Sequence, residues 1–251
     1  KEERKDWLIK KEDMLFVFLL SLIGMVGYHL LFFKAVEYTT AGNAAIIAAA
    51  NPIITMILAS FILGEVLTIQ RIAVFFLAFV GVVLTLTGWN LKELLALNFN
   101  KGEMIMVCAT TLWAIYSILV RKMVKKYSPL ILTTYCFVIC TIIILPFAAR
   151  EGLIPQVSIK AWGGSLYMAI FASVIGYLVQ QMAIKEIGPS KANLFINLVP
   201  FFSIILAWII LDETTTLLNI LSGCMIVLAV YLNSRIQIQY KEKGADVENN
   251  E

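Results

Sequence analysis

The stretch that decides the fold spans residues 38–68 and reads YTTAGNAAIIAAANPIITMILASFILGEVLT. A second stretch begins 148 residues later, spans residues 186–216, and reads EIGPSKANLFINLVPFFSIILAWIILDETTT. The two stretches align without a gap, and the identical pairs include Ala44 with Ala192, Pro52 with Pro200, and Glu65 with Glu213. Apolar composition explains chance matches of alanine and leucine, but it does not explain paired mid-helix prolines and paired helix-end glutamates. The chain therefore contains an internal repeat.

The composition around this repeat is that of a membrane protein. Of the 251 residues, 60% are hydrophobic and 15% are charged, whereas soluble domains have roughly 45–50% and about 25%. So little charge cannot cover the surface of a soluble globule, which argues against a soluble enzyme or a disordered scaffold. The net charge of +3 is too small to indicate a nucleic-acid partner.

Long charge-free runs predict the membrane spans. A transmembrane helix needs ~20 apolar residues, and the chain has eight runs of 17 to 27 residues without Asp, Glu, Lys or Arg. The runs are Met14–Phe33, Tyr38–Gly64, Ile72–Leu91, Met104–Val120, Tyr127–Ala149, Ala161–Ile184, Ala192–Leu211 and Thr214–Ser234. They show no alternation with a period of two, so we expect an all-α polytopic membrane protein with eight transmembrane helices.

The basic residues predict the orientation of these helices. The two ends of the chain and every second loop carry 15 of the 20 Lys and Arg residues, whereas the other loops carry 5. Loops rich in Lys and Arg stay in the cytoplasm. We therefore expect a multi-pass protein of the plasma (inner) membrane with both termini in the cytoplasm.

The repeat extends beyond the two quoted stretches. The same offset places residues 161–184 on residues 13–36, so the first three helices correspond to the last three. The two spans between them, Met104–Val120 and Tyr127–Ala149, have no counterpart in the chain. We therefore expect a parent fold of ten helices, five plus five, of which this chain holds three plus five. Because five is odd, the repeats are inverted relative to each other, which is the architecture of secondary transporters.

These motifs resemble the EamA family of the drug/metabolite transporter superfamily. The resembling stretches are the two quoted above and residues 101–122, KGEMIMVCATTLWAIYSILVRK. The predicted organisation is a cytoplasmic segment at 1–13, a partial first EamA repeat of three helices at 14–91, a second repeat of five helices at 101–235, and a disordered cytoplasmic tail at 236–251. The resemblance also implies an exporter of amino acids, other metabolites or drug-like amphiphiles that lacks the first two helices of the family.

Polar residues beside the paired prolines are the first candidates for a substrate-binding site. Asn193 and Asn197 share one helix face, and Asn51 and Thr55 share another. Each proline removes a helical hydrogen bond and frees a carbonyl group near the middle of the membrane. Paired helix breaks at Pro52 and Pro200 therefore point to a transporter site. In the alternative interpretation, the prolines only kink the helices and the asparagines join them.

Aromatic and amide side chains on two other helices extend the candidate site. Tyr177 and Gln181 share a face, with Gln180 adjacent. A polar and aromatic stripe on a further helix consists of Thr110, Trp113, Tyr116 and Ser117. Aromatic rings with polar groups suit an amphipathic or zwitterionic substrate, although helix packing also accounts for them.

Ionisable groups near the middle of the spans are few. His29 is the only histidine and is the candidate for proton coupling, although a packed neutral histidine is the simpler interpretation. The carboxylates lie at helix ends, as Glu65 and Glu213 do, where they suit the N-termini of neighbouring helices. With one histidine and no paired cysteine motif, we expect no metal site and no cofactor.

Rival functions are a membrane receptor, an intramembrane enzyme and a non-transporting assembly protein. A receptor does not require an inverted repeat, and none of the usual catalytic motifs occurs in the sequence, so we expect no enzymatic activity. The partners we expect are a small-molecule substrate and the lipid bilayer, without nucleic acid. Small residues such as Gly24, Gly27 and Ala45 allow close helix contact, within the molecule or in a homodimer.

Overall fold

The computed structural model describes residues 8–90, 100–151, 158–211 and 216–248. Every regular element within these ranges is helical, so the predicted all-α fold class is confirmed there. The helices are α1 (Lys11–Val36), α2 (Ala41–Ala49), α3 (Asn51–Leu63), α4 (Ile69–Thr87), α5 (Lys101–Met123), α6 (Pro129–Glu151), α7 (Ile159–Ile187), α8 (Pro189–Ile196), α9 (Val199–Leu211) and α10 (Leu217–Glu248). Glu213, the predicted repeat partner of Glu65, lies outside the described residues.

Six helices in the described part of the chain are long and apolar enough to cross a membrane. They comprise α1, the broken pair α2–α3 over Asn43–Leu63, α4, α5, α6 and α7. A shorter apolar helix, Ile220–Ile236, forms part of α10, and the seventh charge-free run is divided between α8 and α9. The structure therefore supports a multi-pass membrane protein, while eight crossings remain a prediction.

Two of the charge-free runs contain broken helices. The first break lies at Ala50, between α2 and α3, and the second at Asn197 and Leu198, between α8 and α9. The sequence predicts helix breaks at the two prolines, and Pro52 and Pro200 are each the second residue of the half-helix that follows a break. This position suits proline, because the first N–H groups of a helix have no acceptor within it.

Two further helices contain a local widening of the helical turn. Leu22–Gly27 within α1 and Met168–Ile175 within α7 are π-helical. These segments end at Gly27 and Ile175, which are equivalent positions at the 148-residue offset. A π-helical segment shifts the face on which later residues lie, and such segments are frequent at functional sites.

Helix α5 lies at the centre of the described fold. It packs against α1, α2, α3, α7 and α8, and it buries Tyr116 and Ala114 completely. Gly24 of α1 permits the closest approach, since a Cβ atom there would lie 2.0 Å from the Tyr116 ring. A second pair, α4 and α10, meets at Gly81, where a Cβ atom would lie 2.8 Å from the Ile226 side chain.

The connections lie at two opposite ends of α5. At its start, Gly102 touches the backbone of Tyr38 and Thr39 in the turn between α1 and α2. At its other end, Arg121 donates hydrogen bonds to the carbonyl oxygens of Ile184 and Lys185, next to the turn between α7 and α8. The turns that follow α1 and α7 therefore lie at opposite ends of the central helix.

The start of α1 lies at the same end as Arg121. Lys126 Nζ and Tyr127 Oη donate to the Asp13 carboxylate at 2.9 and 2.8 Å. This hydrogen bond from Lys126 raises the pKa of its ammonium group. The helix ends and loops that are rich in Lys and Arg are thus gathered at one end of the molecule.

Helix α10 differs from the sequence expectation at its C-terminal end. It continues to Glu248, whereas a disordered tail is predicted from residue 236. The segment follows a helix directly, contains no proline, and includes Gln, Lys and Glu, which are good helix formers. The helix therefore has no residue that stops it near Ile236.

Candidate functional site

A small pocket with polar and apolar lining residues lies where the two broken helices meet α1 and α5. Its volume is about 130 Å³. The residues that line it are Tyr28, Ala48, Asn51, Pro52, Thr110, Trp113, Asn193, Ile196 and Asn197. None of these side chains carries a formal charge, so the pocket offers amide, hydroxyl, aromatic and aliphatic groups.

Asn193 of α8 is the centre of the hydrogen-bond network behind this pocket. Its side chain is fully buried. Its Nδ2 atom donates to Thr55 Oγ1 of α3 at 2.8 Å and to Ser117 Oγ of α5 at 3.1 Å. Gln180 Nε2 of α7 donates to Asn193 Oδ1 at 3.2 Å. One amide thus joins α8 to three other helices.

The break between α2 and α3 frees a backbone carbonyl group, and two asparagines hold the segment around it. Ile53 N–H donates to Ala50 O rather than to the helical acceptor Ala49 O. Asn197 Nδ2, in the break between α8 and α9, donates to this freed Ala49 oxygen at 3.4 Å. Asn51 Nδ2 donates to the Thr110 carbonyl of α5 at 2.9 Å. Side chains therefore hold the break between α2 and α3, and the freed carbonyl has a partner, as buried backbone groups require.

An aromatic cluster borders the pocket on the side of α1 and α7. The Trp113 ring lies 4.7 Å from the Tyr28 ring, 5.4 Å from the Tyr116 ring and 5.5 Å from the Tyr177 ring, measured between ring centres. Gln181 Nε2 donates to Tyr116 Oη at 3.1 Å. This spacing suits edge-to-face contacts between rings.

His29 lies at the edge of the aromatic cluster. Its Nδ1 atom is 2.7 Å from the Met25 carbonyl oxygen, and its Nε2 atom is 3.3 Å from Tyr177 Oη. The Met25 carbonyl oxygen can only accept, so Nδ1 carries a proton. Nε2 then accepts from Tyr177 when the ring is neutral.

The structure brings most of the predicted substrate-binding residues together. Those that line the pocket are Asn51, Pro52, Trp113, Asn193 and Asn197. Thr55 lies behind Asn193, and three others, Tyr116, Tyr177 and Gln181, lie in the aromatic cluster around Trp113. Pro200 is not among the lining residues.

Sequence reasoning missed Tyr28 as a lining residue. An aromatic hydroxyl in the middle of a span, next to His29, was the available signal.

Among the described residues, no three His, Cys, Asp or Glu side chains are close enough to hold a metal ion.

A second, larger pocket of about 460 Å³ lies at the end of α5 that carries Arg121. Glu65, just after α3, accepts from Arg71 Nη2 at 3.0 Å and from Ser190 Oγ of α8 at 2.8 Å. This carboxylate therefore links the first half of the chain to the start of α8. The position confirms that Glu65 lies at the N-terminus of a neighbouring helix, where the helix dipole favours an anion.

A solved crystal structure has the same fold. It superposes on 93% of this chain and 79% of its own chain with a TM-score of 0.76, at 16% sequence identity. At this identity, the match is evidence for the fold alone.

Several curated proteins are similar to this chain in sequence. An uncharacterized transporter, YyaM, of Bacillus subtilis is 34% identical over 86% of this chain and 72% of that protein. An uncharacterized transporter of Archaeoglobus fulgidus is 32% identical over 88% of this chain and 77% of its own length. A probable terminal-alkyne amino-acid exporter of Streptantibioticus cattleyicolor is 22% identical over 90% of this chain and 75% of its own length. The profile of the EamA-like transporter family matches residues 2–87 and 100–235, and the chain therefore belongs to that family.

Proposed function

We propose that this protein is a secondary transporter that moves small organic molecules through the central pocket. The observation that carries this proposal is the position of the pocket, between two helix breaks that lie 148 residues apart. Broken helices in corresponding positions of two halves are the best pointer to a transporter binding site.

The proposed mechanism is alternating access between inverted repeats. The equivalent turns that follow α1 and α7 lie at opposite ends of α5, as an inverted relation requires. Two contacts join residues that are equivalent at the 148-residue offset, namely Ala49 with Asn197 and His29 with Tyr177. Equivalent residues can touch only near the pseudo-two-fold axis that relates them. These contacts support an axis that passes beside the central pocket.

The proposed substrates are small neutral or zwitterionic metabolites, such as amino acids or drug-like amphiphiles. The uncharged amide, hydroxyl and aromatic lining suits them, because a buried net charge would need a charged partner. A cavity of about 130 Å³ holds roughly four water volumes, so its size suits a small substrate. The name of the amino-acid exporter relative supports this class and the direction of transport.

The proposed cellular location is the plasma membrane, with the basic end of the molecule in the cytoplasm. The distribution of Lys and Arg between the two sets of loops supports this orientation. His29 is the residue that we propose couples transport to proton movement, because its imidazole can titrate and its Nε2 atom lies 3.3 Å from Tyr177 Oη beside the pocket.

Reconstitution into proteoliposomes tests this function. A panel of radiolabelled neutral amino acids is assayed for counterflow with the wild-type protein and with Thr55→Val, which keeps the side-chain shape but removes the hydroxyl that Asn193 donates to. Thr134→Val is the matched control, since Thr134 faces outwards and its hydroxyl bonds only to its own helix.

We expect wild-type counterflow of at least one amino acid, a reduction of at least fivefold in Thr55→Val, and no change in Thr134→Val. Equal transport by Thr55→Val and wild type would contradict the proposal that the substrate passes through the central pocket. Absence of counterflow for all substrates, with folded protein in the vesicles, would contradict the proposed transport of amino acids.

A further inference from the structure

Two residues that line the larger pocket each carry a buried polar atom that no residue in the described part of the chain satisfies. Arg71, which is 9% exposed, has an Nε atom without a hydrogen-bond partner there. Asn233, which is 3% exposed, has an Oδ1 atom that also lacks a hydrogen-bond partner in the described part of the chain. Both residues line the pocket. Buried polar atoms are nearly always paired, so one donor and one acceptor await partners here.

Both terminal nitrogen atoms of Arg71 already donate to acceptors in this chain. Its Nη1 atom donates to the Val66 carbonyl at 2.5 Å, and its Nη2 atom donates to Glu65 at 3.0 Å. The ion pair fixes the guanidinium plane and leaves Nε as the group for a ligand. A carboxylate oxygen is the acceptor that pairs best with a guanidinium N–H.

The charges around the pocket favour a ligand with both signs. Three lining residues are basic, Arg71, Arg121 and Lys191, and two are acidic, Glu65 and Glu186. Glu65 is occupied by its pair with Arg71, so the basic groups attract a carboxylate while Glu186 and Asn233 offer acceptors to an ammonium group. The volume of about 460 Å³ lies within the range of small-molecule sites and far exceeds the roughly 30 Å³ of one water.

We propose that this pocket is a second binding site, which holds the carboxylate and ammonium groups of a small zwitterion before it enters the central pocket. The inference rests on the proposed function, because it names a substrate class and an earlier binding step for the same transporter. Ser190, which bonds to Glu65, lies three residues before Asn193 on α8. A ligand at the larger pocket therefore sits at the end of the helix that carries the central amide.

Calorimetric titration of the purified full chain in nanodiscs tests this site. The probe is L-norleucine, and the comparison probes are its amide, which lacks the carboxylate, and hexanoate, which lacks the ammonium group. The titrations use the Asn193→Leu variant, so that the central pocket contributes little. In this background, Arg71→Lys keeps the positive charge beside Glu65 but removes Nε, and Asn233→Leu removes the unpaired oxygen.

Arg235→Lys is the matched control. This arginine lies close to Asn233 in sequence, but it is not among the lining residues of the larger pocket, and its Nε atom already donates to Tyr231 Oη. We expect norleucine to bind the Asn193→Leu protein at least tenfold more tightly than either comparison probe. Arg71→Lys and Asn233→Leu should each weaken norleucine binding at least tenfold, and Arg235→Lys should leave it within twofold. Unfolding temperatures distinguish a loss of binding from a loss of folding. If Asn233→Leu does not fold, the milder change Arg71→Lys still tests the site.

The site proposal is overturned if Arg71→Lys binds norleucine within twofold of its background, or if the amide and hexanoate bind as tightly as norleucine. It is also overturned if Asn193→Leu alone abolishes binding, because the central pocket is then the site. That result leaves the proposed transport function standing. Conversely, binding that depends on Arg71 in a protein without counterflow supports the site and contradicts the transport function.

Discussion

Asn193 shows how one residue can join the two parts of the sequence repeat. Its amide bonds to Thr55 in the first part and to Ser117 and Gln180 in the second. Asn193 itself has Ala45 at the equivalent position of the first repeat, so the network is not symmetric. The repeats supply the framework of the candidate site, and positions at which the two repeats carry different residues, such as Asn193, supply polar groups.

Gly24 is the residue whose substitution most directly disturbs the aromatic cluster. A methyl group at this position would lie 2.0 Å from the Tyr116 ring, so Gly24→Ala must displace Tyr116 and break its bond with Gln181. We expect a loss of roughly 1–3 kcal/mol in stability from overpacking, measured by denaturant unfolding in detergent.

Gly163→Ala is the control for this prediction, because a Cβ atom there meets nothing within 4 Å. Alanine is the better helix former by about 1 kcal/mol, so this variant should be as stable as wild type or slightly more stable. Equal stability of Gly24→Ala and wild type would mean that the Tyr116 ring does not pack against α1 in this way.

The residue spacing predicted much of the candidate site but not all of it. Asn51, Asn193 and Asn197 could be found because they lie beside prolines in a recognisable repeat. Tyr28 and the exact neighbours of Tyr177 were missed, because each of these tyrosines follows a π-helical segment. Face assignments that assume 3.6 residues per turn lose their register across such segments. Arg71 and Asn233 were also missed, since they are distant in sequence and polar at helix ends.

At the level of elements, the proposed transport mechanism depends on the helix breaks. Pro52→Ala restores an N–H group at the start of α3 and favours a continuous helix through Ala50. The Ala49 carbonyl would then regain its helical donor and lose Asn197. We expect transport to fall at least fivefold while the unfolding temperature changes by only a few degrees.

Pro146→Ala is the matched control for this change, because Pro146 lies inside α6 with an exposed side chain and does not line either pocket. We expect its transport to equal that of wild type. Should Pro52→Ala also transport at the wild-type rate, the break between α2 and α3 would have no part in the mechanism.

Element boundaries followed from the sequence wherever charge marked them. Most described helices coincide with charge-free runs, with short extensions at their ends, whereas α10 continues from the run that ends at Ser234 to Glu248. Proline alone could not distinguish a kinked helix from a broken one. The carbonyl freed at the first break is paired with Asn197, which lies in the other break and is distant in sequence. Helix α10 extends to Glu248, into the segment whose polar composition predicts a disordered tail.

At the level of the whole molecule, α5 separates two ends of different chemistry. One end gathers Arg71, Arg121 and Lys191 around the larger pocket. At the other end, Lys34 and Lys101 lie against the Tyr38 ring, and Glu103 is buried among Asn43, Thr39 and Asn100. The central pocket lies between the two ends. If the pocket opens to each end in turn, a substrate bound there would pass from one side of the membrane to the other.

The measurement that tests this account most directly is the labelling of a cysteine at Ala48, a small residue that lines the central pocket. In a cysteine-free background, Ala48→Cys is exposed to a membrane-impermeant thiol reagent in sealed vesicles of either orientation. Ala78→Cys, at a fully buried position in α4 outside both pockets, is the unreactive control. Lys125→Cys and Lys101→Cys, at exposed positions near opposite ends of α5, report the orientation of the vesicles.

Alternating access predicts that Ala48→Cys reacts from both sides, while Lys125→Cys and Lys101→Cys each react from one side only, and opposite sides. Reaction of Ala48→Cys from a single side, or from neither, would contradict transport through the central pocket.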